Sequence, residues 1–270
     1  MSNTGNYLKS LFSLEGKVVL LTGAAGGIGQ ALAQGLAKAG GSLAMCDIDI
    51  QRCNEITKNL EKEGLSANSY ELDVSDVVSI KKCVSAVLSE QKQIDVLVNC
   101  AGVNKREGIL DVEEETYDRI MGINLKGAFL LSQEVAKHMI TRKQGNIINI
   151  GSHNDEGMLG GCSVYGAAKS GLRALTRSMA VEWAKHGIRA NALSPGHIIT
   201  PLTTVTWEHP TRSKYLQDRI AMQRPGKPEE LVGICVMLAS DASSYMSGQA
   251  YHVDGGCLCG GNPWEFDTNY

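Results

Sequence analysis

Apolar residues along the chain fall into short, nearly unbroken runs, set between longer stretches in which they recur every three or four positions. The first run, Lys17-Val18-Val19-Leu20-Leu21-Thr22, lacks polar alternation, as a strand buried on both faces requires. It passes through the glycine-rich segment Gly23-Ala24-Ala25-Gly26-Gly27-Ile28-Gly29 into Gln30-Ala31-Leu32-Ala33-Gln34-Gly35-Leu36-Ala37, which reads as a helix. A second strand, Ser42 to Cys46, ends at Asp47, and the charged amphipathic stretch Gln51 to Glu63 predicts the next helix. Further apolar runs at Ile94–Val98, Asn146–Ile150 and Ile188–Leu193 are separated by segments of helix length. Strands alternating with helices predict a single-domain, doubly wound α/β fold, a parallel sheet with helices on both faces. Between Thr116 and Thr141 a helix-length stretch contains Gly122 and Asn124, poor helix formers that predict a kink. From Thr200 to Pro228 the pattern loosens around Pro201, Pro210, Pro225 and Pro228, predicting a flap with one or two short helices. The expected organisation is an N-terminal arm over residues 1–13, a core domain over 14–256 with the flap at 200–228, and a C-terminal arm over 257–270. In that last arm Trp264 and Phe266 favour docking over a free end.

Bulk properties narrow the function classes. The 43% hydrophobic share of the 270 residues supports a large core, while a net charge of −3 with no recurring Lys/Arg cluster argues against a nucleic-acid partner. No apolar run reaches the length of a membrane span, and the polar start Met1-Ser2-Asn3-Thr4-Gly5-Asn6 lacks a signal-peptide pattern, so a cytoplasmic protein without membrane contacts is expected. Of eight cysteines no two have C-x2-C spacing, so buried free thiols are expected and no metal site.

The glycines at 23, 27 and 29 follow a strand and open a helix, where backbone amides and the positive helix end can approach a pyrophosphate. Asp47, closing the second strand, is placed to accept hydrogen bonds from an adenosine ribose and to repel a 2′-phosphate, and Gly26 offers such a phosphate no basic side chain. Both features point to NAD rather than NADP. Further along, Tyr165 and Lys169 stand four residues apart, on one helix face and about 6 Å apart along its axis. Ser152 lies thirteen positions before Tyr165. A tyrosine pKa near 10 must fall by roughly three, equivalent to about 4 kcal/mol, for the phenol to act as a base near neutral pH. A neighbouring ammonium pulls in that direction.

Together with Asn99-Cys100-Ala101-Gly102, Asn124 and Pro195-Gly196-His197-Ile198-Ile199-Thr200, these blocks resemble the short-chain dehydrogenase/reductase family over residues 14 to 256. The resemblance implies a seven-stranded Rossmann-type sheet, a homotetramer, and hydride transfer at a nicotinamide. It implies Tyr165 as general acid/base, Lys169 on the nicotinamide ribose and lowering the tyrosine pKa, Ser152 on the substrate oxygen, and Asn124 anchoring a water that links Lys169 to solvent. For the cofactor it implies Gly23, Gly27, Ile28, Gly29 and Asp47, then Asp73 and Val74 at the adenine, then Asn99, Ala101 and Gly102 under the adenosine half. Pro195, Gly196, Ile198 and Thr200 would hold the carboxamide. Cys100 stands where the family commonly has asparagine, and Gly151 where it often has serine.

Substrate contacts are expected from Lys105, Arg106, His153, Glu156, His197 and Trp207, a polar and partly basic wall suited to a hydroxylated or carboxylated small molecule. The segments Leu11–Lys17, Ala101–Arg106 and Ser152–Lys169 are similar to gluconate 5-dehydrogenases and related sugar-acid or polyol dehydrogenases, in which a basic pair at the place of Lys105 and Arg106 faces the sugar carboxylate. Two alternatives stand beside this reading: a 3-oxoacyl-carrier-protein reductase, and a protein that binds the dinucleotide only to sense the NAD/NADH ratio.

Overall fold

The computed structural model describes residues 3–201 and 203–260. Its centre is a parallel sheet of β1 (Val18–Thr22), β2 (Ser42–Asp47), β3 (Ala67–Glu71), β4 (Val96–Asn99), β5 (Gly145–Ile150), β6 (Ile188–Pro195) and β7 (Ala250–Val253), in the order β3-β2-β1-β4-β5-β6-β7. Every residue of β1, β4 and β5 is buried. Such strands can be apolar throughout because their side chains alternate between two packed layers. Val19 and Leu21 of β1 join one layer with Leu32 and Leu36 of α2 (Gly27–Lys38), Cys53 and Leu60 of α3 (Ile50–Lys62), and Cys235 and Leu238 of α10 (Val232–Ala239). Val18 and Leu20 join the other, with Val84 and Val87 of α4 (Val77–Gln91), Val135 and Met139 of α6 (Ala128–Arg142), and Met179 of α7 (Ser163–Trp183). Fully burying each of these aliphatic side chains contributes about 1.5–3 kcal/mol.

Strand β3 is absent from the apolar-run reading because its sequence, Ala67-Asn68-Ser69-Tyr70-Glu71, alternates buried and exposed positions at the sheet edge. The residues expected as an N-terminal arm contain a helix, α1 (Asn3–Phe12), tied back by a Lys9–Glu15 ion pair at 2.8 Å. Where a kink was expected, α5 (Glu114–Met121) passes into a π-helical segment, Gly122–Gly127, before α6. The flap carries α8 (Thr204–Trp207) and α9 (Pro210–Gln217). All eight cysteines are free thiols. After β7 the chain makes a short turn at Cys257–Cys259, and the expectation for Trp264 and Phe266 falls outside the described residues.

Strand order reverses between β1 and β4, and their carboxyl ends therefore diverge into a crevice, the usual ligand position in an open α/β sheet.

Candidate active site

A cavity of about 970 Å³ opens at that crevice. One end is made by the turn after β1. Gly23 has φ +64°, and a Cβ there would lie 2.8 Å from Cα of Ala101 in the turn after β4. At Gly29 a Cβ would sit inside the Gly23 carbonyl, and at Gly27 it would press on Thr200. The two turns close on each other only because side chains are missing, and Thr22 Oγ1 locks them by accepting from the Cys100 and Ala101 amides, each at 3.0 Å. Asp47 lines the cavity at the end of β2, with one carboxylate oxygen accepting from Ala25 N at 2.9 Å and the other from Asp49 N at 3.0 Å. Asp73, Val74, Ile28, Ala101, Gly102, Pro195, Gly196, Ile198 and Thr200 also reach the cavity. Asn99 lies beneath it, donating to Ser132 Oγ and Asn149 Oδ1, each at 2.8 Å. It supports the turn from inside the core and does not line the cavity.

At the other end Ser152 follows β5, and α7 brings in Tyr165 and Lys169. Ser152 is buried; its Oγ accepts from Asn154 N at 3.1 Å, and it lines the cavity together with Tyr165. Lys169 Nζ lies 5.6 Å from the centre of the Tyr165 ring and donates to the Ile150 carbonyl at 2.8 Å. The pKa expectation needs correcting. Within the protein alone, burial pushes the phenol up to about 12, against the pull of Ser152, while burial pushes Lys169 down to about 8. The desolvation cost of the charged form is the largest cause of both shifts.

The π segment explains why a poor helix former stands at 124. Asn124 Nδ2 donates to the Ile120 and Val103 carbonyls at 2.9 and 2.8 Å, joining the widened turn to the loop after β4. Its Oδ1 is buried with no protein partner. A Cβ on Gly102 would sit 2.7 Å from that oxygen and 3.6 Å from Lys169 Nζ, so the glycine leaves a gap between the amide and the ammonium. A π-bulge at a functional position is a recurrent arrangement.

The outer wall carries Arg106, His153, Asn154, His197, Trp207 and Arg212. Arg106 Nη1 donates to Thr206 Oγ1 of the flap at 3.4 Å. The His153 and His197 rings meet edge to face at 4.5 Å, and His197 meets Trp207 at 6.3 Å. Burial holds both imidazoles below their ordinary pKa, His197 at about 3. Two expected substrate contacts are not brought here. Lys105 pairs with Glu107 at 2.7 Å on the surface, and Glu156 turns outward to Arg173 at 3.0 Å. The loop after β4 thus parts the two neighbours, Lys105 to the surface with Glu107 and Arg106 to the cavity. Sequence reasoning also missed Arg52, which lines the adenosine end of the cavity and donates through Nε to the Ala25 carbonyl at 3.3 Å. A basic residue in the first turn of the helix after Asp47 was the signal available.

The loop after Ser152 is clamped by Asp155, whose carboxylate accepts from Ser194 Oγ at 2.6 Å and meets His252 Nε2 at 3.0 Å and Arg173 Nη1 at 3.6 Å. A Cβ on Gly151 would stand 2.4 Å from Ser194 Oγ, which accounts for glycine at that position.

What these groups define is a class: a Rossmann-fold oxidoreductase that works with a nicotinamide dinucleotide. Comparison with known proteins carries this further. Residues 23–257 match the family model described as enoyl-(acyl carrier protein) reductase, of the short-chain alcohol dehydrogenase type. The 5-keto-D-gluconate 5-reductase of Escherichia coli is 37% identical over 251 residues, 93% of this chain and 99% of its own length. A 3-oxoacyl-(acyl-carrier-protein) reductase of Thermotoga maritima is 39% identical over 249 residues, 91% of this chain and 99% of its own. The crystal structure of a gluconate 5-dehydrogenase from Burkholderia cenocepacia in complex with NADP and tartrate superposes with a TM-score of 0.91 at 34% identity, covering 93% of this chain and 99% of that one. The chain belongs to the short-chain dehydrogenase/reductase family and is an oxidoreductase acting on CH–OH groups of a small molecule.

Proposed function

We propose that this enzyme interconverts a secondary alcohol and a ketone on a sugar acid or polyol, using NAD(H), with Tyr165 as general acid/base. One observation carries the reading. Ser152, Tyr165 and Lys169 together line one end of a cavity whose outer wall presents Arg106, two neutral imidazoles and Trp207. Neutral imidazoles and a guanidinium offer donors and acceptors to hydroxyls and a carboxylate, and little to an acyl chain. The names of the similar proteins, one acting on 5-keto-D-gluconate and one crystallised with tartrate, support the same substrate class.

The residues present fit a dinucleotide. The glycine turn is a cradle that any Cβ would fill, and the gap at Gly102 lies between Asn124 Oδ1 and Lys169 Nζ. When bound, the cofactor supplies the hydride acceptor or donor. Gly23, Gly27, Ile28 and Gly29 would hold its pyrophosphate, Asp47, Asp73 and Val74 its adenosine with Ala101 and Gly102 below, and Pro195, Gly196, Ile198 and Thr200 its carboxamide. In oxidation Ser152 orients the substrate hydroxyl, and Tyr165 Oη takes its proton as the carbonyl forms. Lys169 holds the cofactor ribose and favours the phenolate, while Asn124 Oδ1 fixes a water through which Lys169 exchanges its proton. In the same reading residues 14–256 are the dinucleotide-binding catalytic domain, 200–228 the substrate flap and 257–270 an arm. The enzyme works as a cytoplasmic homotetramer. Among the described residues no helix is long and apolar enough to cross a membrane.

Asp47 supports NAD over NADP. Arg52 at the same end supports the second reading, a chain that also accepts the 2′-phosphate. Steady-state rates at alkaline pH with NAD+ and with NADP+, against gluconate, other sugar acids, pentitols, hexitols and a 3-hydroxyacyl ester, test both. NAD+-dependent turnover of a sugar acid or polyol is expected. Turnover restricted to the acyl ester would transfer the chain to the acyl-carrier-protein reductases.

A further inference from the structure

Three side chains remote in sequence meet beside the outer wall of the cavity: His153 in the turn after β5 and His197 in the loop after β6, both on that wall, and Cys257 in the turn after β7. One ligand atom of each lies within 4.8 Å of the others. His153 is only 6% exposed, and its Nδ1 is buried with no hydrogen-bond partner. A buried ring nitrogen with no partner in the protein is an atom prepared for a ligand.

Burial and then Asp254 hold the Cys257 thiol above its ordinary pKa, so an ion must displace a proton that the protein alone retains. His197 is neutral, held down by burial and by His153, Arg106 and Arg219. Cys257 is presented by a built turn. The Asp254 carboxylate accepts from Gly256 N and Leu258 N, each at 2.9 Å, and Gly255 and Gly256 take the positive φ values of 64° and 81° that the turn needs. Among charged groups, Asp254 favours a cation here while Arg106 and Arg219 oppose one. Affinity must then come from ligand chemistry rather than from the local field. Two imidazole nitrogens and one thiolate suit a borderline-soft ion and are wrong for Mg2+ or Ca2+, which take oxygen ligands.

We propose that His153, His197 and Cys257 form a binding site for one Zn2+ ion, with its fourth coordination position left to the cavity. Binding replaces the thiol proton of Cys257 with the metal, so that one proton leaves for each ion bound and no oxidation or reduction occurs. The proton transfer proposed for Tyr165 needs no metal, and an ion held here would stand beside it, at the wall that His153 and His197 present to the substrate. Linear spacing could not reveal the cluster, because 44 residues separate the two histidines and 60 separate His197 from Cys257.

The test uses the full chain stripped with a chelator and titrated with Zn2+ by calorimetry in two buffers of different ionisation enthalpy, with Co2+ as a spectroscopic substitute. The expected result is one ion per chain, one proton released, and a thiolate-to-cobalt charge-transfer band with tetrahedral d–d absorption. Cys257→Ser should abolish the band and weaken binding at least about tenfold, while Cys259→Ser should change neither. Zn2+ should also shield Cys257 of the unsubstituted chain from alkylation, read by peptide mass spectrometry, which keeps the question decidable even if a variant folds poorly. Absence of saturable binding at one ion per chain would overturn the proposal, as would a cobalt band that survives Cys257→Ser or alkylation of Cys257 at an undiminished rate.

Discussion

Tyr165 and Lys169 are each held in the neutral direction by burial, the phenol at about 12 and the ammonium at about 8. A positively charged ring placed against the phenol opposes this by favouring phenolate. Alcohol oxidation should therefore rise with pH through an apparent pKa well below 12, and ketone reduction, which needs the phenol, should fall over the same range. Tyr165→Phe should lower turnover about 10²- to 10⁴-fold while dinucleotide binding, read by fluorescence quenching, stays intact; a sensor protein would show no such split. Lys169 also carries a stability signature. Its folded pKa of about 8 lies below the unfolded 10.5, so the unfolded chain binds more protons between those values and stability rises with pH across that window. At pH 7 the buried charge is a cost of up to about 3 kcal/mol. Lys169→Met should thus melt higher near neutral pH than the parent and lose turnover, a trade between stability and function that calorimetry and kinetics read separately.

Elements, rather than single residues, set the positions of these groups. The π segment Gly122–Gly127 turns Asn124 inward, and its amide holds the carbonyls of Ile120 and Val103. Asn124→Ala removes both hydrogen bonds, each contributing about 0.5–1.5 kcal/mol, so it should lower both the melting temperature and kcat, with a smaller change in KM. The loop after β5 is held against β6, β7 and α7 by Asp155, and Gly151 allows Ser194 to approach. Gly151→Ser, which would install the residue common elsewhere in the family, should here destabilise by about 1–3 kcal/mol through overpacking. Thermal melts that match the parent would mean that the loop can retreat from Ser194.

At the scale of the whole molecule, the crevice exists because the sheet reverses its order between β1 and β4, and the cavity there is lined at the carboxyl ends of six strands, β1 to β6. Binding should therefore couple to global unfolding rather than to one loop. Saturation with NADH at one hundred times its dissociation constant should add about 2.7 kcal/mol, measured as a shift in melting temperature. NADPH should give a smaller shift if Asp47 governs the adenosine end, and Arg52→Ala should reduce the NADPH shift selectively. Equal shifts from both dinucleotides in parent and variant would remove both residues from cofactor choice.

The strands that form the centre of the sheet were legible because burial on two faces favours nearly unbroken apolar runs, as in Val18–Leu21 and, interrupted by Asn149, in Ile147–Ile150. The glycine turn was legible because close backbone approach excludes side chains, and the Tyr165–Lys169 pair because helical pitch fixes four-residue neighbours. By itself, then, the sequence determined whatever follows from local geometry: the strands, the cradle and the acid/base pair. Strand β3 escaped because an edge strand needs only half an apolar pattern. His153 and His197 were expected at the cavity wall and stand there, but Arg106 and Lys105, adjacent in the chain, were divided between cavity and surface, Arg52 was brought to the wall and Cys257 to the two histidines, by tertiary contacts that no local spacing encodes. The tertiary structure alone decided these, and with them the direction of the tyrosine shift in the protein without cofactor. A pKa responds to the dielectric of the whole surrounding fold, and burial is the largest influence on this phenol.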